Sequence, residues 1–482
     1  MDYISTRDSG HRVSAAQAIV SGLSPDGGLF LPESLPQFSL SEIETMAKTG
    51  YAGRAVAVLS RFLTDFSEDE LREYVSRAYA PEKFPPKAVA PVVPLDENAH
   101  ILELFHGPTC AFKDFALQLL PFLLTASLRK TGCDKTVVIL VATSGDTGKA
   151  ALEGFADVPG AKICVFYPDG GTSNIQRLQM TTQAGENVMV FAAEGNFDDA
   201  QNGVKRIFTD RAYAEELAGK GYILSSANSI NWGRLVPQIA YYFSAYCELL
   251  NAGRIKPGDP VNVVVPTGNF GNILAAYFAK HCGLPVGKLV CASNRNNVLT
   301  DFITTGTYDR NRGFYVTTSP SMDILISSNL ERLLYLLCGR DDKVLRGYME
   351  ALAKTGKYTV GPDVLAKLQS EFAAGCADDA ATAAAIRDVY RETGYLCDTH
   401  TAVAVNVYRD YAAGRRRSSR PPRAPSNLRT ACCPRPSAGR QTVGTSPCSQ
   451  SWRSFRGSPR RGRSRAFRTR RSALPRRSSP RR

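Results

Sequence analysis

Four stretches of this sequence gather residue types that can do chemistry, each beside a helix-start signal. The first is HGPTCAFKDFALQLL, His106 to Leu120. Its Gly-Pro turn leads into apolar residues at helical spacing, which predicts Lys113 at a helix start with Phe112 and Phe115 close by. Apolar neighbours strip water from an ammonium group and favour the neutral amine, a nucleophile able to condense with an aldehyde. A lysine left in solvent would do none of this. The second stretch is ATSGDTGKAA, Ala142 to Ala151. There Thr143, Ser144, Gly145, Asp146 and Thr147 put hydroxyls and backbone N–H groups at a helix N-terminus, a geometry suited to a carboxylate or phosphate. Asp146 serves equally well as an N-cap, and spacing leaves both uses open.

The third stretch is VVVPTGNFGNILAA, Val263 to Ala276. Strand, turn with Gly268 and Gly271, then helix is the layout of a phosphate cradle. The glycine spacing and the missing Lys-Ser/Thr exclude both the Walker loop and the dinucleotide fingerprint. The fourth is SSANSINWGRLVPQ, Ser225 to Gln238. Asn228, Ser229 and Asn231 precede Arg234, and an arginine among amides suits forked hydrogen bonds to an anion. Loops and helix caps use the same residue types.

The elements that must position these residues alternate. Buried-strand runs are expected at Thr136–Ala142, Lys162–Pro168, Asn187–Ala193, Val261–Gly268 and Leu289–Asn294, with helices after them to Ala156, over Ser173–Thr182, from Phe197 towards Asp210 and over Ile273–Cys282. Short β-rich runs separated by helices imply parallel βαβ units with both sheet faces covered, and ligands at the strands' C-terminal ends. The class is α/β. Before these units, Gly22–Pro32 is too rich in Gly and Pro for regular structure, and Ser39–Ala80 reads as helical. After them, 330–411 reads as mostly helical.

The character changes at Gly414. Of 59 Lys and Arg residues, 21 are arginines within 415–482, a segment with no Lys, Asp or Glu. The rest of the chain carries 38 basic against 45 acidic residues, so the formal +14 belongs to the tail. Residues 415–482 form an Arg-, Ser- and Pro-rich segment expected to be disordered, since it offers too little apolar surface to offset ordering entropy. Its composition, rich in Arg and Pro with no Lys or acid, looks like that of a coding sequence read out of frame. A nucleic-acid function would rest on this tail alone, which has no recognised RNA-binding module, so no specific nucleic acid is expected. Twelve cysteines include no Cys-x-x-Cys pair and accompany no His cluster, so no metal is expected. No apolar run reaches the roughly 18 residues of a membrane span, and MDYISTRDSG lacks a leader pattern. The expected compartment is the cytoplasm.

HGPT-x-AFKDF, ATSGDTG, NSINWGR, PTGNFGN and SPSMDILISSNLERL (Ser319 to Leu333), with the opening YISTR…GLSPDGGLFLPE, resemble the threonine synthase family in that family's order. The resemblance covers about Met1 to Tyr411. It implies pyridoxal-phosphate (PLP) fold type II: two parallel-type α/β subdomains with the cofactor in the cleft. It divides the chain into an N-terminal segment (1–95), a catalytic α/β region (96–414) and the basic tail (415–482). It implies pyridoxal 5'-phosphate as cofactor, covalently held by Lys113, with Gly268, Asn269, Phe270, Gly271 and Asn272 on its phosphate and Asp146 against it. Thr143, Ser144, Gly145, Asp146 and Thr147 would meet the substrate carboxylate. Asn228, Ser229, Asn231 and Arg234 would meet the substrate phosphate. The implied reaction converts O-phospho-L-homoserine and water to L-threonine and phosphate. Two departures stand out. Cys110 occupies a position where the family usually has a larger aliphatic residue. The family's last α/β segment, which brings a hydroxyl to the cofactor's pyridine nitrogen, is replaced by the tail, so the alternative is the same fold without activity. The oligomeric state, monomer or dimer, is left open.

Overall fold

Thr136–Ala142 (TVVILVA) is aliphatic on both sides of the strand, and the structure shows why. Val137, Ile139 and Val141 face Ala150, Ala151, Leu152 and Phe155 of the helix Asp146–Phe155. The alternate residues Leu140 and Ala142 pack with Ala200 and Val204 of the helix Phe197–Thr209. A strand covered on both faces needs apolar residues at every position, so it reads as a run rather than an alternation. It lies inside a four-stranded parallel sheet in the order Val188–Ala193, Ala161–Pro168, Thr136–Ala142, Tyr222–Ser226.

The computed structural model describes residues 1–85, 88–143, 145–195, 197–418 and 427–431. These belong to one compact unit, Met1–Arg435. Pro436–Arg482 is a separate unit and lies outside the described residues. Among the described residues no helix is long and apolar enough to cross a membrane.

A second sheet has six strands in the order Phe372–Cys376, Val286–Ser293, Val261–Pro266, Asn427–Ala431, Ala99–Glu103, Val92–Pro94. All pairings are parallel except the last. Val263 and Val265 join the core that contains the helices Trp232–Asn251 and Gly271–His281, while Val264 faces Val403 and Val407 of the helix Thr399–Ser418. The architecture is therefore α/β, built on two parallel-type sheets. A small antiparallel sheet (Tyr3–Ser5, Arg12–Val13, Phe30–Pro32) precedes them.

The structure bears out 330–411 as mostly helical and refines two expectations. The stretch 330–411 contains the strand Phe372–Cys376, hidden in the sequence because FAAGC has no β-branched residue and directly follows the helix Pro362–Glu371. Pairing with Leu289–Ser293 makes it a strand, and Gly375 is needed there because a Cβ would lie 2.9 Å from Val407. The second concerns the boundary at Gly414. The last helix runs on to Ser418, in keeping with the good helix propensity of arginine. Residues Asn427–Ala431 then pair on both sides, with Asn262–Val264 and with Ala99–Glu103. Without a strand there, two facing rows of backbone donors and acceptors would lack partners. Residues 419–426 and 432–482, on which the rest of the expected tail falls, lie outside the described residues.

Candidate active site

Lys113 opens the short helix Lys113–Leu117. The turn before it is held by Asp114, which is fully buried. Its carboxylate accepts from Thr109 N at 2.8 Å, Thr109 Oγ1 at 2.7 Å and Ala111 N at 3.4 Å. Gly107 lets the turn close, since a Cβ there would sit 2.5 Å from Asp114. Cys110, in the same turn, adopts φ 56°, a left-handed conformation that costs a non-glycine residue of order 1–3 kcal/mol. Burial pushes the Asp114 carboxyl up to about 6, with the hydrogen bonds from Thr109 opposing the shift. A raised carboxyl pKa means that the folded state holds the proton over a window in which the unfolded chain has lost it. This group's contribution therefore declines as pH rises from about 4 to about 6. We expect the denaturant midpoint of Asp114→Asn, relative to wild type, to improve between pH 4 and pH 7. A pH-independent difference would show that Asp114 titrates normally.

The Lys113 amine points at two groups. Nζ donates to Asp146 Oδ2 at 3.3 Å and to Ser321 Oγ at 3.4 Å, and it lies 4.9 Å from the centre of the Phe112 ring. Ser321 Oγ donates to the same Asp146 oxygen. Asp146 is the first residue of its helix, entered through Gly145 at φ 150°. Capping falls to Thr143, whose Oγ1 accepts from Gly145 N at 2.9 Å and Gly148 N at 3.0 Å. Asp146 is thereby released from the N-cap role. Thr143 itself is buried in the turn. Ser144 lies outside the described residues. Thr147 follows Asp146 in the first turn, half-buried.

Ser321 sits in the turn Pro320–Met322, and its backbone N donates to His400 Nε2 at 3.2 Å. Sequence reasoning gave neither residue a role. Ser321 belongs to no periodic element, and His400 is 79 residues away in sequence. The available signal was the SPSM turn itself, a polar break between apolar runs.

Gly268 and Gly271 flank the start of the helix Gly271–His281. Its N-cap position is Phe270 at φ 62°, with no side-chain cap. An 11-residue helix thus presents bare N–H groups at a turn. Gly268 lies against the lysine's partner, since a Cβ there would be 2.7 Å from Ser321 O. The turn is pinned from outside: Ser327 Oγ donates to Gly268 O at 2.8 Å, and Asn329 N and Nδ2 donate to Asn269 O at 3.1 Å each. Phe270 contributes backbone only, its ring being buried 5.6 Å from that of Phe372. Asn272 turns its side chain to the Tyr242 hydroxyl. The features expected of a phosphate site are present: uncapped N–H groups, glycines at the approach, and an amine behind them.

The fourth cluster divides. Ser229 comes to the cradle, its Cβ 3.8 Å from where a Gly271 Cβ would stand. Asn228 Oδ1 is buried with no hydrogen-bond partner among the described residues. Asn231, in contrast, is fully buried. Its Nδ2 donates to Ile19 O and Ser226 O, and its Oδ1 caps the helix Trp232–Asn251 through Gly233 N. Arg234 is also buried, donates to Ala227 O and faces the charge of Asp114. Burial lowers its guanidinium pKa to about 10. Asn231 and Arg234 both help to fix the loop that carries Asn228 and Ser229, and Arg234 Nε is buried with no hydrogen-bond partner among the described residues.

A lysine backed by a helix-start carboxylate, facing a glycine-walled helix N-terminus on a two-sheet α/β scaffold, defines a class that comparison also finds. Residues 90–420 match the family model for pyridoxal-phosphate dependent enzymes. Residues 2–79 match the model for the threonine synthase N terminus. The chain belongs to the threonine synthase family of pyridoxal-phosphate-dependent enzymes. It is 43% identical over 420 residues to human threonine synthase-like 1, covering 83% of this chain but only 56% of that protein. It is 41% identical over 411 residues to threonine synthase of Pseudomonas aeruginosa, covering 85% and 84% of the two chains. The crystal structure of PLP-bound threonine synthase from Brucella melitensis superposes with a TM-score of 0.81 at 40% identity, over 90% of this chain and 88% of that one.

Proposed function

We propose that this chain converts O-phospho-L-homoserine and water to L-threonine and phosphate, using pyridoxal 5'-phosphate. The observation that carries the reading is the Lys113 amine, within 3.4 Å of both Asp146 and Ser321 and across from the uncapped Gly268–Gly271 turn. The backbone N–H groups of that turn hold the cofactor phosphate. Lys113 is the residue that would hold the cofactor through its aldehyde, and its free amine would move protons at the substrate's Cα and Cβ. When bound, the cofactor supplies an electron sink for the carbanions that these proton transfers create. Asn228, Ser229 and Arg234 of the fourth cluster, on the loop that Asn231 caps, are the candidates for the substrate phosphate, where donors would stabilise a leaving group that gains charge as it departs from Cγ; the buried, unpartnered Arg234 Nε supports the reading. Water then adds at Cβ. The cytoplasm is kept as the location on the composition of residues 1–414. The test is the purified chain, loaded with cofactor and given O-phospho-L-homoserine. Equimolar threonine and phosphate are expected. Phosphate without threonine would mean elimination without the water addition, and neither product would mean the fold without the activity.

A Cβ at Gly271 meets no protein atom nearer than 3.4 Å. The fold should therefore tolerate Gly271→Val far better than the bound phosphate does. We expect cofactor affinity to fall by about tenfold or more, the scale of one charge-assisted hydrogen bond lost, with the denaturant midpoint little changed. Equal affinity in the two proteins would remove Gly271 from the cradle.

A further inference from the structure

The helix Asn174–Thr181 has no task in the account above. Ile175 and Leu178 stand in solvent, and Met180 is its buried residue. Met180 packs on the helix Asp146–Phe155, since a Cβ at Gly148 would lie 2.7 Å from its Sδ. Gln176, one turn before Met180 on the same face, reaches the start of that helix. Its Nε2 donates to Asp146 Oδ1 at 2.5 Å, while Lys113 meets the other oxygen, Oδ2. The amide is held in this orientation from behind. Ser173 caps the helix Asn174–Thr181 through Gln176 N at 3.3 Å, and its hydroxyl donates to Gln176 Oε1 at 3.0 Å. Gly145 makes room for the contact: a Cβ there would stand 2.5 Å from the Gln176 amide carbon. Glycine is thus needed at 145 for this approach as well as for its φ of 150°.

An anion beside an ammonium group favours the charged amine. A donor on the far oxygen of that anion draws charge from it and fixes which oxygen the amine meets. We propose that Gln176 is a positioning residue for Lys113: its amide orients the Asp146 carboxylate and weakens that carboxylate's hold on the amine's proton. A lysine or arginine at 176 would neutralise the carboxylate, and a glutamate would add a second negative charge when ionised. A neutral donor does neither. The action runs through the Oδ1 contact alone and requires nothing of the other groups that meet Asp146. The charged and titratable groups around the contact are Lys113, Lys149 in the first turns of Asp146's helix, which pairs with Glu153 at 2.9 Å, Arg177 beside Gln176, and His400 behind the Ser321 backbone.

This assignment rests on the reading of Lys113 as the reacting amine, but its test does not require threonine formation. In the cofactor-free full chain, the rate of Lys113 acylation by an amine-specific reagent is followed by peptide mass spectrometry from pH 5.5 to pH 8. Gln176→Met, of similar size and without the donor, should slow the reaction by about threefold at every pH, because the carboxylate regains charge. Gln176→Glu should behave differently. At the acid end the introduced carboxyl, raised by its neighbour Asp146, keeps its proton and donates as the amide does, so the rate stays near wild type. At the alkaline end two carboxylates face the amine, and the rate should fall about tenfold below wild type, the scale of one added charge. In the cofactor-loaded chain turnover should fall in Gln176→Met while KM holds. Gln176 is only half-buried, so both variants should keep the wild-type denaturant midpoint. Wild-type acylation in Gln176→Met would overturn the proposal. So would an equal, pH-independent loss in both variants, which would make Gln176 a packing residue, or a raised KM with unchanged acylation, which would make it a substrate ligand. A chain that forms no threonine but shows the pH-dependent difference would defeat the reaction proposed above and leave this inference standing.

Discussion

Replacing Lys113 by alanine should abolish turnover, by about 10³-fold or more, because the variant loses both the covalent anchor and the base that moves protons at the substrate. Borohydride treatment of the cofactor-loaded wild type should leave a reduced adduct on the peptide that contains Lys113, and the variant should leave none. The fold should persist. The lysine's two contacts are long, 3.3 and 3.4 Å, and its loss leaves Asp146 still bonded to Ser321 and Gln176. The cradle does not depend on the lysine either, since Ser327 and Asn329 pin it independently. Phosphate-dependent cofactor affinity should therefore fall less than turnover does. A reduced adduct on some other lysine of the variant would move the reacting amine elsewhere and undo the site as described.

How much of this was legible depended on what determined each part. Thr136–Ala142 is readable to the residue because burial on both faces demands aliphatics throughout; the strand expected at Val261–Gly268 is readable for the same reason but ends at Pro266. Phe372–Cys376 and Asn427–Ala431 were not, because partner strands make them strands and their own side chains do not. Lys113, Asp146, Gly268 and Gly271 came from local signals, a turn or strand leading into a helix, and local signals survive in sequence. Asn231 and Arg234 are ambiguous in sequence because a helix cap and an anion site call for the same residue types. Burial separates the two roles, and burial is not local. Ser321 and His400 carry no sequence signal for the converse reason: their contacts with Lys113, Asp146 and each other come from a juxtaposition of chain segments.

Arg332 shows such a juxtaposition at its most consequential, and its removal should be the most damaging single change to the scaffold. The side chain is fully buried over Trp232. Nε donates to Phe30 O at 2.8 Å, one terminal nitrogen to Ile230 O and the other to Asn329 Oδ1. One guanidinium thus ties the N-terminal sheet, the loop that carries Asn228 and Ser229, and the asparagine that pins the cradle. Its neighbour Glu331 makes the parallel tie, accepting from Thr6 Oγ1 at 2.7 Å and from Arg7 at 2.8 and 2.9 Å. Burial lowers the Arg332 pKa to about 9, so the charge itself is held at a penalty, and the three hydrogen bonds must offset it. Arg332→Leu leaves two carbonyls and an amide oxygen without their donor in the interior, a loss of about 3 kcal/mol or more. Lys cannot rescue it, because an ammonium group cannot span three acceptors laid out for a planar fork. The expected result is a lowered denaturant midpoint in both variants. Cofactor affinity should also fall, even though no Arg332 atom is assigned to the cofactor, because Asn329 loses its orientation. If Arg332→Lys matches wild type in both measurements, the fork geometry is dispensable and the cradle is held by Ser327 and the Asn329 backbone alone.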